Sequence, residues 1–480
     1  MRILHTTAEL FPFIKVGGLS DMLSSLSRFQ ASEHTIHIAL PKIQSIAEEI
    51  EFTGKSLACI GNDAFGSDAS AVLQESTFLE AKRGDILLYF FDSPLFKNLP
   101  SIYKNSHEHY NFAVFSYACY YLGLQLDVDI VHSHDWHTAL ATVLNAIRPE
   151  GKGTCFTIHN LSHQGDHPLD LTGFLRIDPF YLKPEHLMNY DKVNYLKGAL
   201  QHSDEITTVS PGYRNEILSE PTGCFLSWVL NRRVDSLTGI LNGIDMEEWN
   251  PKTDTHIYSQ YDGQTVAEGK YQNKLALYKD YGLHVDIHRP LVGFVGRLAY
   301  QKGIKTLLTA FPWKAHLSFY FFILGSGDIE LENQLFYHSH HDNQRLYFFR
   351  GFSETLARRI EAACDFFIMP SLFEPCGLNQ FYSHRYGSIP IVSRVGGLRD
   401  SVNESWDIQN FTGLVFESND ESSFSYALDR ANSLYYDKQR FAQIRQNIMN
   451  LDWSWKTRVG DYLRVYQSAI AKKQQRANTF

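Results

Sequence analysis

Apolar and polar positions alternate along this chain on two different periods. Short apolar runs of the kind a buried strand requires occur at 2–7, 34–40, 85–91, 128–134, 155–159 and 205–209. Elsewhere the apolar residues recur every three or four positions: Leu19, Met22, Leu23 and Leu26 form one such stripe, and residues 111–124 form another. The first pattern predicts strands and the second amphipathic helices. The alternation restarts at 290–298 and runs on through 317–328, 345–349, 365–370, 389–393 and 413–417. Strands alternating with helices predict α/β architecture with parallel sheets, and the restart predicts two such domains. The polar, poorly periodic segment between 41 and 84 reads as surface loops. After 413–417 two helices are expected, the last with Val459, Tyr462, Leu463, Tyr466 and Ile470 on one face.

Composition narrows the picture without changing it. The 480 residues are 44% hydrophobic and 14% aromatic, an ordinary globular balance, and the length suits two or three domains. With a formal net charge of −9 and no basic tract, nucleic acid is not an expected partner. No apolar run reaches the length of a membrane span, and the first residues lack the apolar core of a signal peptide. The six cysteines are scattered without a CxxC pair, as expected for reduced thiols in a cytoplasmic protein.

Chemistry concentrates in residues 370–402. Glu374 follows the apolar run DFFIMPS, and Pro375-Cys376-Gly377-Leu378 turns the chain into a helix with Leu378, Phe381, Tyr382 and Arg385 at helical spacing. A second run, IPIVS, ends at Gly396-Gly397 before another helix. Helix N-termini reached through small residues bind phosphate or developing negative charge. A carboxylate beside such a site can hold sugar hydroxyls. Read as structure alone, Glu374 is a helix cap and the glycines serve packing.

Other runs end in the same way. Lys15 precedes Gly17 and Gly18 at the start of a helical stripe. The run 128–134 opens onto Asp135, Trp136 and His137 and itself carries His132 and His134. A metal site is the rival reading there, but the order differs from the HxHxDH of metallo-hydrolases and no second ligand cluster accompanies it. Residues 155–165 place His159, Asn160, Gln164 and Gly165 after another run. In the second half, 290–298 leads to Arg297, then Gln301, Lys302 and Gly303. Two cations after a buried strand suit a diphosphate, which Arg can grip bidentately.

These stretches together resemble the bacterial glycogen/starch synthases, retaining glycosyltransferases with two Rossmann-like domains (GT-B). The resemblance rests on KxGGL at 15–19, HxHDWH at 132–137, TxHNLxxQG at 157–165, TxVSPxY at 207–213, GRLxxQKG at 296–303 and the donor-site wording at 374–378. The motifs occur in family order over nearly the whole chain. It implies parallel sheets facing each other across a deep cleft, with an acceptor-side catalytic domain at 1–245 and a nucleotide-sugar domain at 246–458. A terminal helix, 459–480, would cross back to the first domain, and Trp249-Asn250-Pro251 would mark the first hinge. It also implies glucose transfer from ADP-glucose to the non-reducing end of an α-1,4-glucan, without a cofactor or metal. Glu374, His159 and Asp135 would be catalytic. Lys15, Gly17, Gly18, Arg297, Lys302, Cys376, Gly377 and Leu378 would bind substrate.

Four departures from the family pattern stand out. Ser20 replaces Gly or Ala, Asn379 replaces Thr, and only Phe112 survives of an Asp-Asn-x-x-Arg-Phe pattern around 107–112. The glycine-rich loop expected after the Ser-Pro-x-Tyr helix is shorter and lacks its acid at 220–233. Three alternatives therefore stand beside the synthase: a related enzyme using another donor such as UDP-glucose, a catalytically weakened glucan-binding regulator, and a phosphorylase. The last would need a lysine for pyridoxal phosphate, and no motif suggests one.

Overall fold

The computed structural model describes all residues except 45–49, 60–67, 104, 106, 168–176, 311–317, 342–344, 419 and 478–480. Residue 317 of one expected strand and 478–480 of the expected terminal helix thus lie outside the described residues. The chain forms two compact units, Met1–Gly243 with Trp455–Phe480, and Ile244–Ser454.

The first unit is built on a nine-stranded sheet. Its order is Leu237–Gly239, Glu205–Thr208, Gly153–Ile158, Ile130–His134, Arg2–Thr6, Thr35–Pro41, Ile86–Asp92, Thr77–Arg83, Phe52–Ala58. The first seven run parallel. The last two extend the sheet antiparallel, and the helix Asp68–Glu75 lies between them along the chain. This corrects the reading of 41–84 as surface loops. The edge strand Phe52–Ala58 is mostly solvent-facing, and TFLEAKR mixes charges with Phe78, Leu79 and Ala81. An edge strand needs no apolar face, so neither period stands out in its sequence. A small antiparallel sheet of Asp166–His167, Lys192–Asn194 and Met188–Asn189 has no sequence signal either. The helix Val459–Ala477 belongs to this unit and packs on the strand Gly153–Ile158.

The second unit holds six parallel strands in the order Leu346–Arg350, Tyr320–Gly325, Leu291–Val295, Phe366–Met369, Ile389–Ser393, Leu414–Phe416. Numbered along the chain this is 3-2-1-4-5-6, the doubly wound dinucleotide-fold order. Alternate residues of each strand enter opposite cores. Val292, Phe294, Ile323, Phe366 and Ile368 pack in one; Leu291, Phe322, Leu324, Phe367 and Met369 pack in the other. Burial on both faces is why these strands read as unbroken apolar runs.

Two further readings change. Among the described residues three α-helices, not two, follow 413–417: Glu421–Tyr436, Lys438–Met449 and Val459–Ala477. Asp437 ends the first and caps the second by accepting the Arg440 N–H, so the break costs a single residue and leaves little trace in the pattern. Trp249, expected at a hinge, is packed inside the unit, stacked 3.6 Å from Tyr382 with Arg358 4.1 Å from its ring.

Candidate active site

In a doubly wound sheet, ligands bind outside the carboxyl ends of the strands where the strand order reverses. In the first unit that point lies between Arg2–Thr6 and Ile130–His134; in the second it lies between Leu291–Val295 and Phe366–Met369. The loops leaving these four strands carry Lys15, Gly17, Gly18, Asp135, Arg297, Lys302, Glu374, Cys376, Gly377 and Leu378. His159 follows the neighbouring strand Gly153–Ile158.

In the first unit the glycine loop is held by a residue that sequence reasoning passed over. Glu9 Oε2 accepts the backbone N–H groups of Val16 and Gly17 at 2.9 and 2.8 Å, and Tyr103 donates its hydroxyl to Oε1 at 2.5 Å. Glu9 is a single carboxylate beyond a strand with no periodic signal, so nothing in its context marked it. Gly17 caps the helix Gly18–Gln30, and Lys15 pairs with Asp21 at 3.0 Å while lying 4.8 Å over the Phe11 ring.

Asp135 and His159 come together. Asp135 Oδ1 accepts the backbone N–H of His159 at 2.8 Å and of Asn160 at 3.4 Å. The Asp135 backbone has φ 57°, a strained conformation for a residue with a Cβ. Desolvation raises its carboxyl to about 7, opposed by those two backbone N–H groups. Burial lowers the His159 imidazole to about 3, so it is neutral. Behind it His5, His132 and His134 place their ring nitrogens within 4.8 Å of one another, the one such set among the described residues. Each ring nitrogen of the three already has a hydrogen-bond partner in the protein. An ion could enter only by breaking those bonds.

In the second unit three loops lock into one another. Gln301 accepts the Leu372 N–H at 2.8 Å on its backbone carbonyl and donates its side-chain amide to Phe373 O at 3.2 Å. Gly303 adopts φ 65°, and a Cβ there would lie 1.7 Å from Pro370 O. Gly397 donates its N–H to Glu374 O at 3.1 Å, and a Cβ on Gly396 would lie 2.0 Å from the same oxygen. The helix begun by Gly396 is short, Gly396–Ser401, so these glycines serve to admit the Glu374 loop.

Within this frame Glu374 Oε2 receives Lys302 Nζ at 2.6 Å and the Ser371 hydroxyl at 2.9 Å. Arg297 is exposed, and no group among the described residues engages its guanidinium. Leu378 caps the helix Asn379–Tyr386, Gly377 has φ 76°, and Cys376 is buried with its carbonyl accepting the Gln380 amide at 3.0 Å. Asn379, at the position of the expected threonine, donates to Val295 O at 2.8 Å and so ties this helix start to the central strand. The departing loop at 220–233 is also ordered: Glu220 accepts the Phe225 N–H at 3.1 Å and the Ser227 hydroxyl at 2.7 Å, and Gln164 donates to Cys224 O at 2.8 Å.

The chain matches the family model of the starch synthase catalytic domain over residues 2–232 and that of group 1 glycosyl transferases over 285–447. It is 52% identical to a glycogen synthase of Leptospira biflexa over 98% of this chain and 99% of that one. The chain belongs to the bacterial glycogen/starch synthase family. A glycogen synthase of Cellvibrio japonicus is 37% identical over 97% of this chain and 98% of its own. The catalytic domain of starch synthase IV from Arabidopsis thaliana, solved with ADP and acarbose, superposes with a TM-score of 0.88 at 31% identity, covering 98% of this chain and 99% of that one. The protein is therefore a glycosyltransferase of the GT-B class. No helix among the described residues is long and apolar enough to cross a membrane.

Proposed function

We propose that this protein transfers glucose from ADP-glucose to the non-reducing end of an α-1,4-glucan with retention of configuration. The observation that carries the reading is the carboxylate–ammonium pair of Glu374 and Lys302, held by interlocked loops at the switch point of a doubly wound sheet. The second unit is the nucleotide-sugar domain and the first the acceptor-side domain. Lys302 and Arg297 neutralise the departing diphosphate, and the helix start at Gly377-Leu378 adds its dipole. Cys376 shapes the turn that aims this helix start.

Glu374 holds glucose hydroxyls and stabilises the positive charge that develops on the sugar as the diphosphate leaves. Such charge stabilisation acts more strongly on the transition state than on the bound substrate. Lys15, Gly17 and Gly18 contact the phosphates from the first domain. The His159 carbonyl and ring and the Asp135 side chain face the reacting carbon, and Asp135, by accepting the His159 and Asn160 amides, fixes the loop that presents them. Six free cysteines, five of them buried, fit a reducing cytoplasm. The net charge of −9 favours no nucleic-acid partner.

The test is incubation of the purified protein with glycogen and labelled ADP-glucose, with unlabelled UDP-glucose as competitor, and a parallel incubation with labelled UDP-glucose. Label should enter the glucan, ADP should accumulate, and UDP-glucose should compete poorly. Strong competition by UDP-glucose would reassign the donor. Absence of transfer from either donor, with glucan binding retained, would turn the reading to a glucan-binding regulator.

A further inference from the structure

Behind His159 lies a continuous chain of buried hydrogen bonds drawn from distant parts of the first unit. His159 Nε2 is 3.0 Å from His134 Nδ1, and His134 Nε2 is 3.1 Å from His5 Nδ1. His5 Nε2 is 2.8 Å from Gln30 Oε1, and Gln30 Nε2 donates to the Tyr466 hydroxyl at 3.0 Å. Tyr466 is 2.8 Å from His132 Nδ1, whose Nε2 is 2.6 Å from Thr157 Oγ1. His5, Gln30, His132, His134 and Tyr466 are at most 1% exposed.

A neutral imidazole has one donor and one acceptor nitrogen, so each link fixes the next. Gln30 Oε1 can only accept, so His5 carries its proton on Nε2 and accepts on Nδ1. His134 must then donate from Nε2 and accept on Nδ1, which requires the proton of His159 on Nε2. On the other arm the Gln30 amide donates to Tyr466, Tyr466 donates to His132 Nδ1, and His132 donates from Nε2 to Thr157. Every bond points the same way around the path. Burial keeps all four imidazoles neutral, His5 near 4 and His159 near 3, with His132 and His134 well below their usual value. The Tyr466 phenol is held protonated by the same burial. His159 Nδ1 has no partner among the described residues, so its lone pair is presented away from the chain.

We propose that Gln30, with His5, His134 and Tyr466, sets the tautomer of His159 so that its ring offers the transfer site a hydrogen-bond acceptor. These are positioning residues, and Gln30 is the polarity-setting one, because its amide is the one link whose donor and acceptor ends are chemically distinct. Reversing the path would place a proton on His159 Nδ1 and offer the substrate a donor. The inference rests on the placement of His159 at the transfer site.

Two measurements on the full chain test it. In protein labelled with [15N]histidine, the ring-nitrogen shifts of His5, His134 and His159 should report Nε2–H tautomers; an Nδ1–H tautomer at any of them overturns the proposal whatever the activity. In the glucan-transfer assay, Gln30→Met should lower kcat about tenfold, the size of one well-placed hydrogen bond, with KM for ADP-glucose changed less than about twofold. Gln30→Glu should recover most of that kcat, because its carboxylate still accepts from His5. Normal kcat in Gln30→Met, or a fall in melting temperature with Gln30→Glu no better than Gln30→Met, refutes the positioning role. If the wild-type protein shows the Nε2–H pattern yet transfers no glucose, the placement of His159 at a transfer site fails and the tautomer assignment stands.

Discussion

Lys302 and Glu374, 72 positions apart, form an ion pair with Nζ 2.6 Å from Oε2. The carboxylate side chain is 7% exposed and the ammonium side chain 22%. A cation suited to a diphosphate and a carboxylate suited to sugar hydroxyls are thus bonded to each other, and a donor that engages both must share or divide that bond.

Glu374→Gln is expected to keep the fold and ADP affinity while turnover falls by about two to three orders of magnitude, as when one preorganised stabilising group is lost. Gln is nearly isosteric and still hydrogen-bonds a hydroxyl. The structure overturns the reading of Glu374 as a helix cap, since Leu378 holds that position and the carboxylate bonds Lys302 and Ser371. Were those bonds only structural, the variant would be destabilised by about 1–3 kcal/mol and remain fully active. Melting temperature, ADP affinity and turnover measured on one preparation separate the outcomes.

Lys302→Ala is expected to weaken both ADP-glucose binding and turnover. One charge-assisted contact to a diphosphate is worth about 1.5–3 kcal/mol. Because Lys302 also holds Glu374, the double variant Lys302→Ala with Glu374→Gln should lose less than the sum of the two single losses. Strict additivity in kcat/KM would mean the pair does not act as a unit.

The Asp135 carboxyl, raised to about 7, makes a prediction with a definite sign. Its folded value lies above the ordinary value of about 3.9. Its stabilising contribution is therefore complete below that ordinary value and is lost as pH rises through about 7. Asp135→Asn removes this dependence. The melting temperature of the variant relative to wild type should accordingly rise between pH 4 and pH 8; a gap independent of pH would show that the buried carboxyl titrates normally.

Gly303 and Gly282 offer a matched comparison. Both have left-handed φ, 65° and 63°, but a Cβ at Gly303 would lie 1.7 Å from Pro370 O, whereas at Gly282 it meets nothing within 4 Å. Gly282→Ala should cost only conformational strain, about 1–2 kcal/mol, with donor binding intact. Gly303→Ala must also displace the backbone that carries Glu374, so ADP-glucose affinity should fall with stability. Equal donor affinity in the two variants would show that the loop contact does not position the site.

Strands buried on both faces were legible from the residues alone, since a continuous apolar run admits few other fates. So were the loops that follow them, because Gly17-Gly18, Gly303 and Glu374-Pro375-Cys376-Gly377 break the pattern where strands end. The antiparallel strands Phe52–Ala58 and Thr77–Arg83 were not legible, because the first is exposed at the sheet edge and the second mixes charges with its apolar residues. Partnerships were left to the tertiary structure. Nothing local says that Glu9 caps the glycine loop, that Lys302 bonds Glu374, or that Tyr466 reaches Gln30 and His132 from the last helix. Those bonds join residues up to 436 positions apart, and they exist because the sheets and the helices packed on them bring distant segments side by side.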